Sequence, residues 1–154
     1  MVLNAVNVRL WVETLSWTAQ RAPQFIDITA SVAECVRRSE ITSGMVVVYS
    51  KHTTAAIKIN EHEPELLKDM EAFLSRLSPS EAKYFHNDFS VRTVNMEEDE
   101  CPNGHAHCQH LLLGSSETIP IVDGQLALGV WQRVFLVELD RPRPRDVVIQ
   151  VLGA

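Results

Sequence analysis

No stretch of about eighteen consecutive apolar residues occurs in this chain, so it offers no candidate for a membrane-spanning helix. The opening segment MVLNAVNVRLWVETLS lacks a basic stretch followed by an apolar one, so no secretory leader is expected. A basic excess is missing too. Fourteen Lys and Arg stand against twenty Asp and Glu, a formal charge of −6, which weighs against nucleic acid as a partner. Cysteine is scarce and odd in number: Cys35, Cys101 and Cys108 without an export signal imply reduced thiols and a cytoplasmic location. The separation of Cys101 and Cys108 is not that of a zinc ribbon. Six glycines and seven prolines are too few for long disordered stretches. There is no GxxxxGK[ST], no GxGxxG after a strand and no GxSxG, which disfavours P-loop, dinucleotide and hydrolase-elbow chemistry.

The 154 residues that remain, 45% apolar and 22% charged, have the size and composition of one globular domain spanning 1–154. Val6, Val8 and Leu10 alternate as in a strand, and QFIDI (24–28) is a second short one. ASVAECVRRS places Val32, Cys35 and Val36 on one helical face, with Thr29 or Ser31 as the cap and Gly44 closing the connection. MVVVYSK (45–51) is β-branched enough for a buried strand, and AAIKIN (55–60) alternates again. After Pro64, the spacing of Leu66, Leu67, Met70, Phe73, Leu74 and Leu77 predicts an amphipathic helix. Residues 78–104 have no sustained period and read as a long loop, of the kind that is usually functional or mobile. A short helix over 107–112 is followed by ETIPIV and QLALGVW around Asp123-Gly124, the strongest hairpin signal, and then by RVFLVEL and DVVIQVLG. Strands outnumber helices and the connections are too short for parallel crossovers. The expected fold is α+β: a two-layer subunit of mainly antiparallel sheet with two main helices on one face. The other face would need covering, and Trp11, Trp17 and Trp131 suggest self-association.

The segment NGHAHCQHLLLG (103–114) gathers three of the six histidines. His105 and His107 share a side only in extended backbone, His107 and His110 only on a helix. The three are therefore not expected to hold one ion. Arg133, Arg141, Arg143 and Arg145 form the only basic concentration, and the fork of arginine suits a phosphate.

HTTAAIKINE (52–61), NGHAH (103–107), LLGSSETIPIVDGQLALGVWQ (112–132) and VELDRPRPR (137–145) closely resemble the signatures of the YjbQ-like proteins. Those are small proteins described as secondary thiamine-phosphate synthases. The resemblance covers nearly the whole chain. It implies an antiparallel α+β subunit assembled as a homotrimer, and a site drawn from His52, Asn60, Glu61, His86, Asn103 and His107, completed by Gln132 and the acid–arginine segment from Glu138 to Arg143. Within that set, His52, His107, Glu61 and Gln132 are the catalytic candidates, and Thr53, Thr54, Asn60, Asn103 and Arg143 the ligand-binding ones. His52, His86 and His107, from separate segments, would suit a divalent metal, zinc or magnesium. Two positions depart from the family pattern: Val130 where threonine is usual in G-T-W-Q, and Arg141 where glycine is usual before the Pro-Arg pair. The acidic run at 97–100 is also untypical.

The activity so implied joins a pyrimidine pyrophosphate to a thiazole phosphate. Arg143 and Arg133 would hold the pyrophosphate, with Lys58 as an outside candidate. Two alternatives belong to other classes: a metal-dependent hydrolase or lyase acting on a small phosphorylated molecule, and a non-catalytic trimer that binds a small anion or metal.

Overall fold

The computed structural model describes residues 7–154, so Val6 lies outside the described residues. Eight strands form two antiparallel sheets. The larger has the order β1 (Arg9–Thr18), β8 (Pro144–Gly153), β3 (Gly44–Ser50), β5 (Ser116–Val122), β6 (Gln125–Leu126). The smaller has the order β2 (Gln24–Asp27), β7 (Gln132–Glu138), β4 (Ala55–Glu61). The α+β class and the antiparallel pairing are as expected, but the single sheet is two.

The sheets face each other across the main core. Val46, Val48, Ile119, Ile121, Val147, Ile149 and Val151 of the larger sheet meet Ala55, Ile57, Val134 and Leu136 of the smaller. The helix α1 (Thr29–Ser39) adds Val32, Cys35 and Val36 to that core. On the far side of the smaller sheet, α2 (Pro64–Leu77) and α3 (Gly104–Leu113) bury Leu74 and Ala106 against Ala56, Phe135 and Val137. Strand β7 is thus buried on both faces, which is why VFLVE reads as an unbroken apolar run rather than an alternation.

Local corrections have local causes. Thr29 does not cap α1; its hydroxyl accepts from the Val134 N–H of β7. The helix ends at Ser39, where ASVAECVRRS ends, with Glu40 closing it in the left-handed conformation, and Gly44 begins β3. QLALGVW pairs only over Gln125–Leu126, because the chain then leaves the larger sheet to begin β7 in the smaller, through a turn in which Gln132 Oε1 accepts from Gly129 N–H at 2.8 Å. In β1 the inward face is Trp11, Leu15 and Trp17, packed against the main core, while Leu10 and Val12, with Val8 just before the strand, are more than half exposed. Trp11 and Trp17, expected to serve self-association, are therefore core-facing, and the open face is the aliphatic one.

Candidate functional site

The first turn of α3 organises the site. A Cβ on Gly104 would lie 2.6 Å from the Tyr84 Cβ, so only glycine lets the loop pass this close. Asn87 Oδ1 accepts from Gly104 N–H at 2.9 Å, clipping the short turn Phe85–Asn87 to the helix. The clip brings His86 beside His107, with ring centroids 4.6 Å apart and planes at 63°. His86 Nε2 is buried without a hydrogen-bond partner, and so is Oδ1 of Asn103, the residue preceding α3.

These side chains line a cavity of about 400 Å³ together with Thr53, Thr54, Arg92, Arg141 and Arg143. That is room for a small metabolite. Glu97, Asp99 and Glu100 line the same cavity, Glu100 bonded to Arg92 and Asp99 to Arg141. The lining is therefore balanced: three guanidinium groups and three carboxylates. Arg92 donates to Glu100 Oε1 at 2.9 Å and to the Asn95 carbonyl at 2.6 Å, and the Glu100 carboxyl is held below its usual range mainly by that bond. Arg143 lies 3.9 Å from the buried Asp140 carboxylate. Burial, helped by the neighbouring His86, pushes the His107 pKa down, which favours the neutral imidazole at pH 7. Burial and the Asp140 charge push the Cys101 thiol up, toward the protonated and less nucleophilic form.

The strap over 139–143 is fixed from below by a fully buried ion pair. Arg145 Nε and Nη2 each donate to Glu138 at 2.5 Å, and Nη2 also donates to Thr54 Oγ1 at 3.0 Å. Glu138 Oε1 accepts from the backbone N–H groups of Leu139, Asp140 and Arg141. One carboxylate thus orients the segment that carries Arg141 and Arg143, and its partner arginine orients the cavity threonine.

Of the residues anticipated for the site, Thr53, Thr54, His86, Asn103, His107 and Arg143 meet in this cavity. His52 is not among its lining residues. Its Nε2 accepts from Asp146 N–H at 2.8 Å, joining the end of β3 to β8, and burial and the Arg145 charge lower its pKa. The imagined trio of His52, His86 and His107 is therefore a pair plus one structural histidine. Among the described residues no three His, Cys, Asp or Glu side chains are arranged to hold a metal ion. Asn60, Glu61 and Gln132 lie at the opposite end of the smaller sheet, where Glu61 pairs with Gln132 and Asn60 with Arg133. Strands β4 and β7 run six residues from there to Glu138, roughly 20 Å. Lys58 is bound to Glu117 and the Leu113 carbonyl. Arg92 was missed: it sits in an aperiodic loop, and only the folded contacts reveal its reach.

A profile described as "UPF0047 protein YjbQ-like" matches residues 13–154. A UPF0047 protein of Methanothermobacter thermautotrophicus is 36% identical over 148 residues, covering 96% of each chain. Another from Archaeoglobus fulgidus is 40% identical, over 88% of this chain and 95% of its own. Among solved structures, a protein of unknown function from Sulfolobus solfataricus superposes with a TM-score of 0.87 at 30% identity, over 96% of this chain and 100% of that one. An uncharacterised protein from Clostridium acetobutylicum reaches a TM-score of 0.80 at 36% identity, over 90% and 98% of the two chains.

Proposed function

This chain belongs to the UPF0047 YjbQ-like family, and from that premise we propose that its cavity binds a small phosphorylated molecule and handles a proton at the His86–His107 pair. The observation that carries this reading is the convergence of two imidazoles, one with an unpartnered buried nitrogen, on a cavity walled by three arginines. A guanidinium fork and threonine hydroxyls suit phosphoryl oxygens. An imidazole held neutral by burial, as His107 is, suits proton exchange near neutral pH.

The reaction class is the joining of a pyrimidine pyrophosphate to a thiazole phosphate as a secondary activity. A ring nitrogen attacks the methylene carbon, the bond from that carbon to the pyrophosphate oxygen breaks, and pyrophosphate leaves as the anion. Arg143 and Arg92 stabilise the departing charge, the neutral His107 ring donates a hydrogen bond to a pyrophosphate oxygen, and Asn103 Oδ1 accepts a hydrogen bond from the heterocycle. The test is product formation from the two phosphorylated heterocycles by wild type, His107→Ala and Arg143→Ala. Turnover lost in both variants, with folding intact, supports the reading; turnover equal in all three, or absent from wild type, overturns the transferase assignment.

A second reading is favoured by the orphaned His86 nitrogen: a divalent metal resting on His86 and His107, with zinc preferred over magnesium because the donors are imidazoles. Elemental analysis of tag-free protein beside His86→Ala and His107→Ala decides it, since metal must fall in both variants. The same proposal includes a homotrimer working in the cytoplasm, supported by the open apolar sheet face and by three cysteines that are all free.

A further inference from the structure

Two features lie outside the family pattern, Arg141 and the acidic run 97–100, and in the fold they meet. Arg141 Nη2 donates to Asp99 Oδ2 at 3.3 Å and to the Asp99 carbonyl at 3.5 Å, while Nη1 contacts Cys101 Sγ. Both partners line the cavity, and with side-chain exposures of 30% for Arg141 and 86% for Asp99 the pair stands at its mouth.

The three cavity arginines are not equivalent. Arg92 and Glu100 are 12% and 14% exposed, and Arg92 has a second, short bond to the Asn95 carbonyl, so that pair is a fixture. The Asp140 beside Arg143 is 2% exposed, held between Asn103 and Cys101, and cannot swing away. Among the carboxylates paired with these arginines Asp99 alone is solvated, and it makes one long contact. An exposed pair of this kind contributes little, so breaking it costs little.

We propose that Asp99 is a built-in competitor for the anionic part of the ligand: its carboxylate occupies Arg141 in the free protein, and a phosphoryl group replaces it on binding. This rests on the reading that the cavity takes a phosphorylated molecule. It also answers a difficulty in that reading, because a lining of three cations and three carboxylates gives a polyanion no net attraction until one carboxylate leaves. The competitor lowers the affinity of every anion for Arg141 by the same factor. A phosphoryl group carries more charge and more acceptor oxygens for the guanidinium fork than a carboxylate, so it is the ligand best able to displace Asp99. Asp99 thus sets the threshold that an anion must exceed to take Arg141.

The test is calorimetric titration of the full chain with inorganic pyrophosphate and, separately, succinate, using wild type, Asp99→Asn, Arg141→Gly and the double variant. Pyrophosphate is expected to bind Asp99→Asn tighter than wild type by up to about fivefold, the scale of an exposed ion pair. Arg141→Gly is expected to weaken binding, and Asp99→Asn to add nothing in that background. Succinate is expected to gain by the same factor in Asp99→Asn and to bind both proteins more weakly than pyrophosphate does. An equal gain in the Arg141→Gly background reflects removal of general charge and overturns the competitor. A gain for pyrophosphate with none for succinate likewise overturns the competitor. No gain from Asp99→Asn, while Arg143→Ala still abolishes pyrophosphate binding, sinks this inference alone. Pyrophosphate binding by none of the proteins removes both the inference and the reading beneath it.

Discussion

His107, His52 and His110 share one physical circumstance: burial lowers the pKa of each below the ordinary histidine value of 6.5. Between its lowered folded value and 6.5, each binds a proton more readily in the unfolded chain. Their contribution to stability is therefore fully present above pH 6.5 and is lost as pH falls below it, by no more than about 1.4 kcal/mol per pH unit for each proton taken up. Thermal melts at pH 7.5, 6.5 and 5.5 should show a midpoint that drops on acidification, with a shallower drop in His52→Gln; a level profile would contradict the buried neutral imidazoles. The same residues mark how far the site was legible. His107, Asn103, Thr53, Thr54 and Arg143 were readable because local blocks of sequence carry them to the cavity. His52 lies outside the cavity lining, and the sequence could not show this, because a histidine at a strand end looks the same whether its ring meets a ligand or accepts an amide N–H, as it does from Asp146. Arg92 was illegible because its partners Glu100 and Asn95 come from a loop with no period to read.

At the scale of elements, the strands and α2 were legible wherever one periodicity dominated, as in Gly44–Ser50, Ala55–Glu61 and Pro64–Leu77. What could not be read was the division into two sheets. Alternation along a strand says that one face is buried but not against which neighbour, and β7, buried on both faces, has no alternation at all. The junction of α3 with the Phe85–Asn87 turn was also hidden, since nothing in NGHAH says that Gly104 is there for Tyr84. Gly104→Ala places a Cβ 2.6 Å from the Tyr84 Cβ and 2.8 Å from its Cγ. The expected cost is about 1–3 kcal/mol in urea unfolding, together with loss of pyrophosphate binding as His86 separates from His107. A variant with native stability and native binding would show that the close approach does not hold the site together. The Glu138–Arg145 pair supports a sharper prediction. Arg145→Ala leaves a buried carboxylate uncompensated and should cost about 3–5 kcal/mol. Replacing both, with Glu138→Leu and Arg145→Met, should recover only part of this, because the N–H groups of residues 139–141 lose their shared acceptor. Full recovery would mean that the carboxylate does not organise the strap.

For the whole molecule, the decisive feature is the outer face of the larger sheet. Leu10 of β1 pairs with Leu152 of β8, Leu152 with Met45 of β3, and Met45 with Pro120 of β5, so an apolar row crosses four strands. One turn of the pleat further on, Val12, Gln150, Val47 and Thr118 form a second row in register. Leu10, Val12, Met45, Tyr49 and Val122 are each between 44% and 62% exposed, and contiguous apolar area of this kind on a small domain marks an association surface. In the homotrimer proposed above, a threefold ring would join two different patches on neighbouring copies, and Val130 and Trp131, 86% and 70% exposed, would be the second. Light scattering after gel filtration should therefore give three times the chain mass for wild type, and Leu10→Glu with Tyr49→Glu should reduce it to one, since two charges on the face cannot be buried without partners. A wild type that runs as a monomer at micromolar concentration would refute the assembly. Pyrophosphate titration of the monomeric variant then locates the site. Unchanged affinity means that each cavity is complete within one subunit. Lost affinity, with the fold intact by circular dichroism, means that a neighbouring copy finishes it, and that Asn60, Glu61 and Gln132, stranded roughly 20 Å away within one chain, do their work across the interface.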